Sequence, residues 1–144
     1  MEHSLNRTIA GSAVLLAGRL LLSGIFLHEG ATLALNFNAT ASAFAKLGLE
    51  LPVAIGVILL QLAAGFSVAT GLATRLGAVA LGSFCLLTAL LFHTDFASQN
   101  EMLHFEKDLA IAGGMFVLAI AGAGSLSADA ILKRSCPAPI AGFL

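Results

Sequence analysis

Tryptophan and tyrosine are absent from this 144-residue chain, cysteine occurs twice, proline three times, and only 10% of the residues are charged. Each scarcity excludes something. A water-soluble domain carries roughly 25% charged residues, so this chain has too little polar surface to cover a soluble globule. Cys85 lies in an apolar run and Cys136 in the C-terminal tail, so no disulfide framework is available, and Cys85 reads as a small packing residue. Without Trp or Tyr there is no aromatic belt, and helix ends must be placed by charges and Phe. Net charge is -1, which argues neither for nor against nucleic acid, and no basic patch is present, so no nucleic-acid partner is expected. No GxGxxG, CxxC or paired haem ligands occur, so no haem, flavin or nucleotide signature exists.

What is present is grease. Hydrophobic residues make up 58% of the chain, and the mean hydropathy is +0.97. Four apolar segments, about Ile9–Leu35, Leu51–Leu72, Leu76–Phe92 and Leu103–Ala123, each have the length to cross a hydrocarbon core of ~30 Å. Arg19 within the first, and its weak charged start, argue against a cleaved signal peptide. Backbone groups in lipid must bond internally, so four spans mean four helices. The expectation is an all-α, single-domain transmembrane four-helix bundle, up-down-up-down, with helices about 9–35, 51–72, 76–92 and 99–123 and an irregular tail over 130–144. Arg7, Arg75, Lys133 and Arg134 fall on one side against Lys46 and Lys107 on the other, which places both termini in the cytoplasm and the Asn36–Glu50 and Thr94–Met102 loops outside. Small or polar faces (Ser12, Arg19, Ser23 and Gly30; Gln61, Gly65, Ala69 and Ala73; Ala78, Gly82, Cys85 and Ala89) should point inward, where they let backbones approach.

The densest information lies over Leu91–Ala123. Ser98 and Glu101 have the spacing of a capping box, so a helix should start near Gln99. Glu101, His104 and Asp108 then share one face, continued by Ala112, Met115 and Ala119. His28 and Glu29 end the first span, and His93 and Asp95 end the third. Three helices therefore bring His and carboxylate groups toward the outer side, where they could move protons, rim a headgroup pocket or hold metal. Glu101-x-x-His104 is half of a di-iron bundle motif, which needs two copies. Metal ligation by His28, His93, Glu101 and His104 is thus a weak alternative. Asn38-Ala39-Thr40 matches a glycosylation sequon.

Arg19 is the least expected residue. Counted from Ile9 it lies ~15 Å along its helix, near mid-bilayer, where a charge costs on the order of 3 kcal/mol. No acid is expected at that depth. Gln61 is the one strongly polar neighbour, able to accept a bond but not to neutralise the charge. Arg19 is either a packing clamp on helix carbonyls or the contact for an anionic or carbonyl-bearing ligand.

Several runs together resemble the DoxX family of small four-helix membrane proteins: Gly18-Arg19, Gly24-Ile25-Phe26 and Gly30; Gly71-Leu72-Ala73-Thr74-Arg75; Phe92-His93; His104-Phe105-Glu106-Lys107-Asp108 leading to Gly113-Gly114; and Gly122 through Asp129. The chain departs from the family at Gln61, often acidic there, and at Ala31-Thr32-Leu33, where a Lys is frequent. The resemblance implies quinone-level redox chemistry in a bacterial or archaeal inner membrane, in the company of thiosulfate:quinone oxidoreductase or terminal-oxidase assemblies. The expectation is a redox-associated subunit that binds a quinone or similar lipophilic ligand, with Arg19, Gln61 and Ser23 inside the bundle and His28, Glu29, His93, Glu101, His104 and Asp108 as the outer group. A redox partner protein and a homo-oligomer are the partners this implies. The alternatives are a non-catalytic anchor for a partner protein and a small metal- or solute-handling protein.

Overall fold

The computed structural model describes the backbone of residues 2–135 and the side chains of residues 10–134. Expectations for Cys136, Pro137 and Pro139 lie outside the described residues. The described chain is all helical: α1 (Glu2–Leu35), α2 (Phe37–Lys46), α3 (Leu51–Thr70), α4 (Thr74–Phe92), α5 (Gln99–Ala121) and α6 (Ala128–Ser135). Pro52 opens α3 in its first turn, where its missing N–H has no partner to lose. Gly71 closes α3 with φ 76°, a left-handed conformation that Gly adopts without a Cβ penalty.

Three helices are long and apolar enough to cross a membrane: Ala10–Leu35 within α1, α3 and α4. α3 and α4, at 20 and 19 residues, run about 30 and 28 Å, the thickness of a hydrocarbon core. α5 is not among them, because every 18-residue window in it keeps Glu106, Lys107 and Asp108. Large side chains face outward throughout, Leu35 at 85%, Leu21 at 80% and Ile120 at 80% exposed, a surface that water would penalise and lipid does not.

Neighbouring helices run antiparallel, as the contacts show. Along α1 and α3, Arg19 meets Ala69, Leu27 meets Gly65 and Gly30 meets Leu62. Between α3 and α4, Gly77 lies on Ala64 and Ser67. Between α4 and α5, Gly82 lies on Met115 and Phe116, and Thr88 bonds Asp108. The core gathers Phe26, Val68, Ala78, Leu81, Cys85, Ala112, Met115 and Leu118. A Cβ on Gly82 would stand 3.1 Å from Met115 Cβ and 3.0 Å from the Phe116 ring, so the missing side chain sets how closely α4 and α5 approach. The inward faces read from the sequence are largely buried: Ser12, Arg19, Ser23, Gly30, Gln61, Gly65, Ala78, Gly82, Cys85 and Ala89.

Four expectations need correction. Asn36–Glu50 is not a plain loop, because α2 occupies most of it. The stretch from residue 130 is not irregular throughout, because α6 runs to Ser135. It is started by the Ser127 Oγ, which accepts from the Ala130 N–H at 3.2 Å. Ser98 is the N-cap of α5, which starts at Gln99 as expected, but the capping box is not closed: the Ser98 hydroxyl makes no cap bond, the Ser98 N–H donates to the Asp95 carbonyl, and the Glu101 carboxylate holds His93 instead. Arg19 is not level with Gln61. It meets Ala69 and Gly71 at the C-terminal end of α3, whereas Gly30 of α1 is the residue that meets Gln61, because α1 extends past α3 at that end.

Candidate functional site

Two polar clusters sit at opposite ends of the helices, with Gln61 between them. The first is built around Arg19, 1% exposed. Nη1 donates to the Ala123 carbonyl, and Nη2 donates to the carbonyls of Leu126 at 3.0 Å and Ala69 at 3.4 Å. The guanidinium therefore ties α1 to the end of α3 and to the segment between α5 and α6. The Asp129 carboxylate lies close enough to act on it electrostatically. Asp129 itself accepts from the Ala73 N–H at 2.8 Å and, more weakly, the Thr74 N–H at 3.4 Å, while its own N–H donates to the Gly71 carbonyl at 2.9 Å. It caps α4 from another helix, satisfying donors that a helix start leaves open.

This geometry matches the packing-clamp alternative for Arg19. Its terminal nitrogens are taken by protein carbonyls and it does not bond Gln61, while its Nε is buried without a partner. Ser23 is likewise closed on itself, its Oγ donating to the Arg19 carbonyl at 2.6 Å. No sequence spacing announced Asp129 as the acceptor that caps α4. The only trace was that Gly18-Arg19, Gly71 to Arg75 and Gly122 to Asp129 were all conspicuous, and the fold brings these three runs together.

The second cluster joins the end of α4 to the start of α5. His93 Nδ1 donates to Glu101 Oε2 at 2.8 Å, and its Nε2 stands 3.9 Å from Asp108 Oδ2. The His104 ring stacks on His93 with centroids 5.2 Å apart. Thr88 Oγ1 donates to Asp108 Oδ2 at 3.1 Å, and Lys107 Nζ donates to His104 Nδ1 at 3.2 Å. His93, Glu101, His104 and Asp108 are therefore assembled as the helical spacing implies. His28 and Glu29 are not: both are exposed on α1 and make no hydrogen bond or ion pair with this group among the described residues. Nor do three His, Cys, Asp or Glu gather in a way that could hold a metal among the described residues, which removes the support for His28, His93, Glu101 and His104 as ligands.

Beside this cluster lies a cavity of about 460 Å³ between α3 and α4, roofed by Phe44 of α2 and Leu47 after it. Its wall is apolar except for Gln61, Thr88 and His93. Gln61 is 6% exposed and its Oε1 has no hydrogen-bond partner. A buried acceptor left unpaired costs about 1–3 kcal/mol. Val53, Leu87, Leu91 and Phe92 line the cavity and are exposed, so it opens to the surroundings of the helices. Thr88 and α2 escaped sequence reasoning. The one available signal was a lone hydroxyl in the apolar run Leu86–Phe92.

The sequence model of the DoxX family matches residues 14–94. Inner membrane protein YqjF of Escherichia coli (strain K12) is 35% identical over 122 residues, covering 83% of this chain and 92% of YqjF. Inner membrane protein YphA of the same organism is 32% identical over 127 residues, covering 83% of this chain and 91% of YphA. No solved structure matches the chain.

Proposed function

The chain belongs to the DoxX family and is a multi-pass inner-membrane protein, and we propose that it is a redox-associated subunit holding a quinone or similar lipophilic ligand in the cavity between α3 and α4. The observation that carries this is a cavity whose wall is apolar except for Gln61, Thr88 and His93, with Gln61 itself buried and its Oε1 unpaired. A volume of about 460 Å³ falls within the usual range for small-molecule sites, which combine greasy walls with a few placed polar groups. A side-chain amide both donates and accepts. Gln61 thus serves a quinone carbonyl through its NH2 group. His93, on the same wall and bonded to Glu101, gives protons a route between the cavity and the outer surface.

In this reading α5 crosses the membrane with α1, α3 and α4 as the fourth helix of an up-down bundle, its charged face turned to α4 around Asp108 and Thr88. Arg75, Lys133 and Arg134 at one end against Lys46 and Lys107 at the other put both termini in the cytoplasm. Electrons pass to a partner protein of the same membrane.

The test is equilibrium binding of decylubiquinone to the purified protein. Gln61→Leu should weaken binding about tenfold, the size of one lost hydrogen bond to a buried group. Val53→Trp, which fills the cavity, should remove it. Equal affinity in wild type and both variants contradicts the assignment.

A further inference from the structure

At the opposite end of the helices the start of α4, the Gly122–Ser127 connection and α6 enclose a second cleft, of about 170 Å³. We propose that it binds the phosphate group of an anionic lipid headgroup. Arg75 and Lys133 line it, and the one carboxylate on its wall is Asp129. That carboxylate is occupied by the Ala73 and Thr74 N–H groups, and two cations stand against it, so the net charge of the cleft wall is positive. Arg75 makes no hydrogen bond or ion pair among the described residues. The ion pairs found there, His93–Glu101, His93–Asp108 and Lys107–Asp108, all lie at the other end.

The guanidinium is nevertheless placed. It lies against the backbone of Gly122, whose φ of 77° suits a residue without a side chain, and a Cβ there would stand 3.4 Å from Arg75 Nε. Five N–H donors in a planar fork match the oxygens of a phosphate two at a time. Arg75 is the second residue of α4, itself a membrane-crossing helix, and the cleft is level with the Gly71 turn that ends α3. That is the depth at which a bilayer presents its phosphates, and basic residues there attract anionic lipids. The ligand chemistry is a phosphate ester, supplied either by a lipid or by a soluble phosphate, and the depth favours the lipid.

Native mass spectrometry of the full-length protein, offered phosphatidylglycerol and phosphatidylcholine together, tests this. The wild type should retain phosphatidylglycerol in preference, and Arg75→Gln and Lys133→Gln should each lower that retention about fivefold. Both residues are exposed, so neither change disturbs packing, and Gln61→Leu should leave retention untouched. Excess inorganic phosphate should fail to displace the lipid. If it succeeds, the cleft is a phosphate site fed from solution. Equal retention of the two lipids by the wild type, or unchanged retention in both cation variants, overturns the site.

Discussion

His93 Nδ1 donates to Glu101 Oε2 at 2.8 Å, and that bond draws the Glu101 side chain away from the N-terminus of its own helix. A residue placed to cap α5 instead staples α5 to the end of α4. Both side chains are partly exposed, at 25% and 32%, so solvent weakens the pair. A double-mutant cycle of His93→Ala and Glu101→Ala, read by thermal unfolding in detergent, should return a coupling of about 0.5–1 kcal/mol. Additive effects would show the pair to be energetically silent.

Arg19→Leu should lower stability rather than ligand affinity. The substitution strips bonds to Ala69, Ala123 and Leu126 and leaves those carbonyls without their donor. Each buried acceptor left unpaired costs about 1–3 kcal/mol. Decylubiquinone affinity of the fraction that still folds should equal wild type. Unchanged melting together with lost binding would return Arg19 to the ligand site.

Asp129→Ala should destabilise the Gly71–Arg75 turn, because Ala73 and Thr74 lose the acceptor that caps α4. A lost cap is worth about 1 kcal/mol. Hydrogen exchange should therefore rise at the first turn of α4 and leave Thr88–Phe92 unchanged. Exchange that is uniform along α4, or unaltered, contradicts the tertiary cap.

Gly82→Val places branched carbons where even a Cβ meets Phe116 at 3.0 Å. Overpacking of this kind costs about 1–3 kcal/mol. The expected result is a lower melting temperature, with less loss for Gly82→Ala. Equal stability of both variants would show that α4 and α5 are free to part.

Periodicity and hydropathy were enough to read the α1, α3, α4 and α5 segments, because membrane length and the run of small residues at Ala78, Gly82, Cys85 and Ala89 are local signals. The Glu101–His104–Asp108 stripe was legible for the same reason, since a helix fixes which residues share a face. Depth was not. Arg19 was placed by counting from Ile9, whereas the end of α3 decides where it lies, and that register belongs to a pair of helices. Asp129 and Thr88 were missed because their partners are far away in the chain. α2 was missed because Asn36–Glu50 mixes Asn, Thr and Ser with Ala, a composition that serves a loop as readily as a short helix. The cavity follows from how α2 covers α3 and α4, a relation that no single segment encodes.

The most direct measurement is photolabelling of the purified protein in lipid with an azido-quinone, followed by peptide mapping. The account predicts labels confined to the cavity wall, Leu33, Phe44–Gln61 and Phe84–His93, competed by decylubiquinone and reduced in Gln61→Leu. Labels spread over the lipid-facing surface, or centred on Arg19, would contradict it.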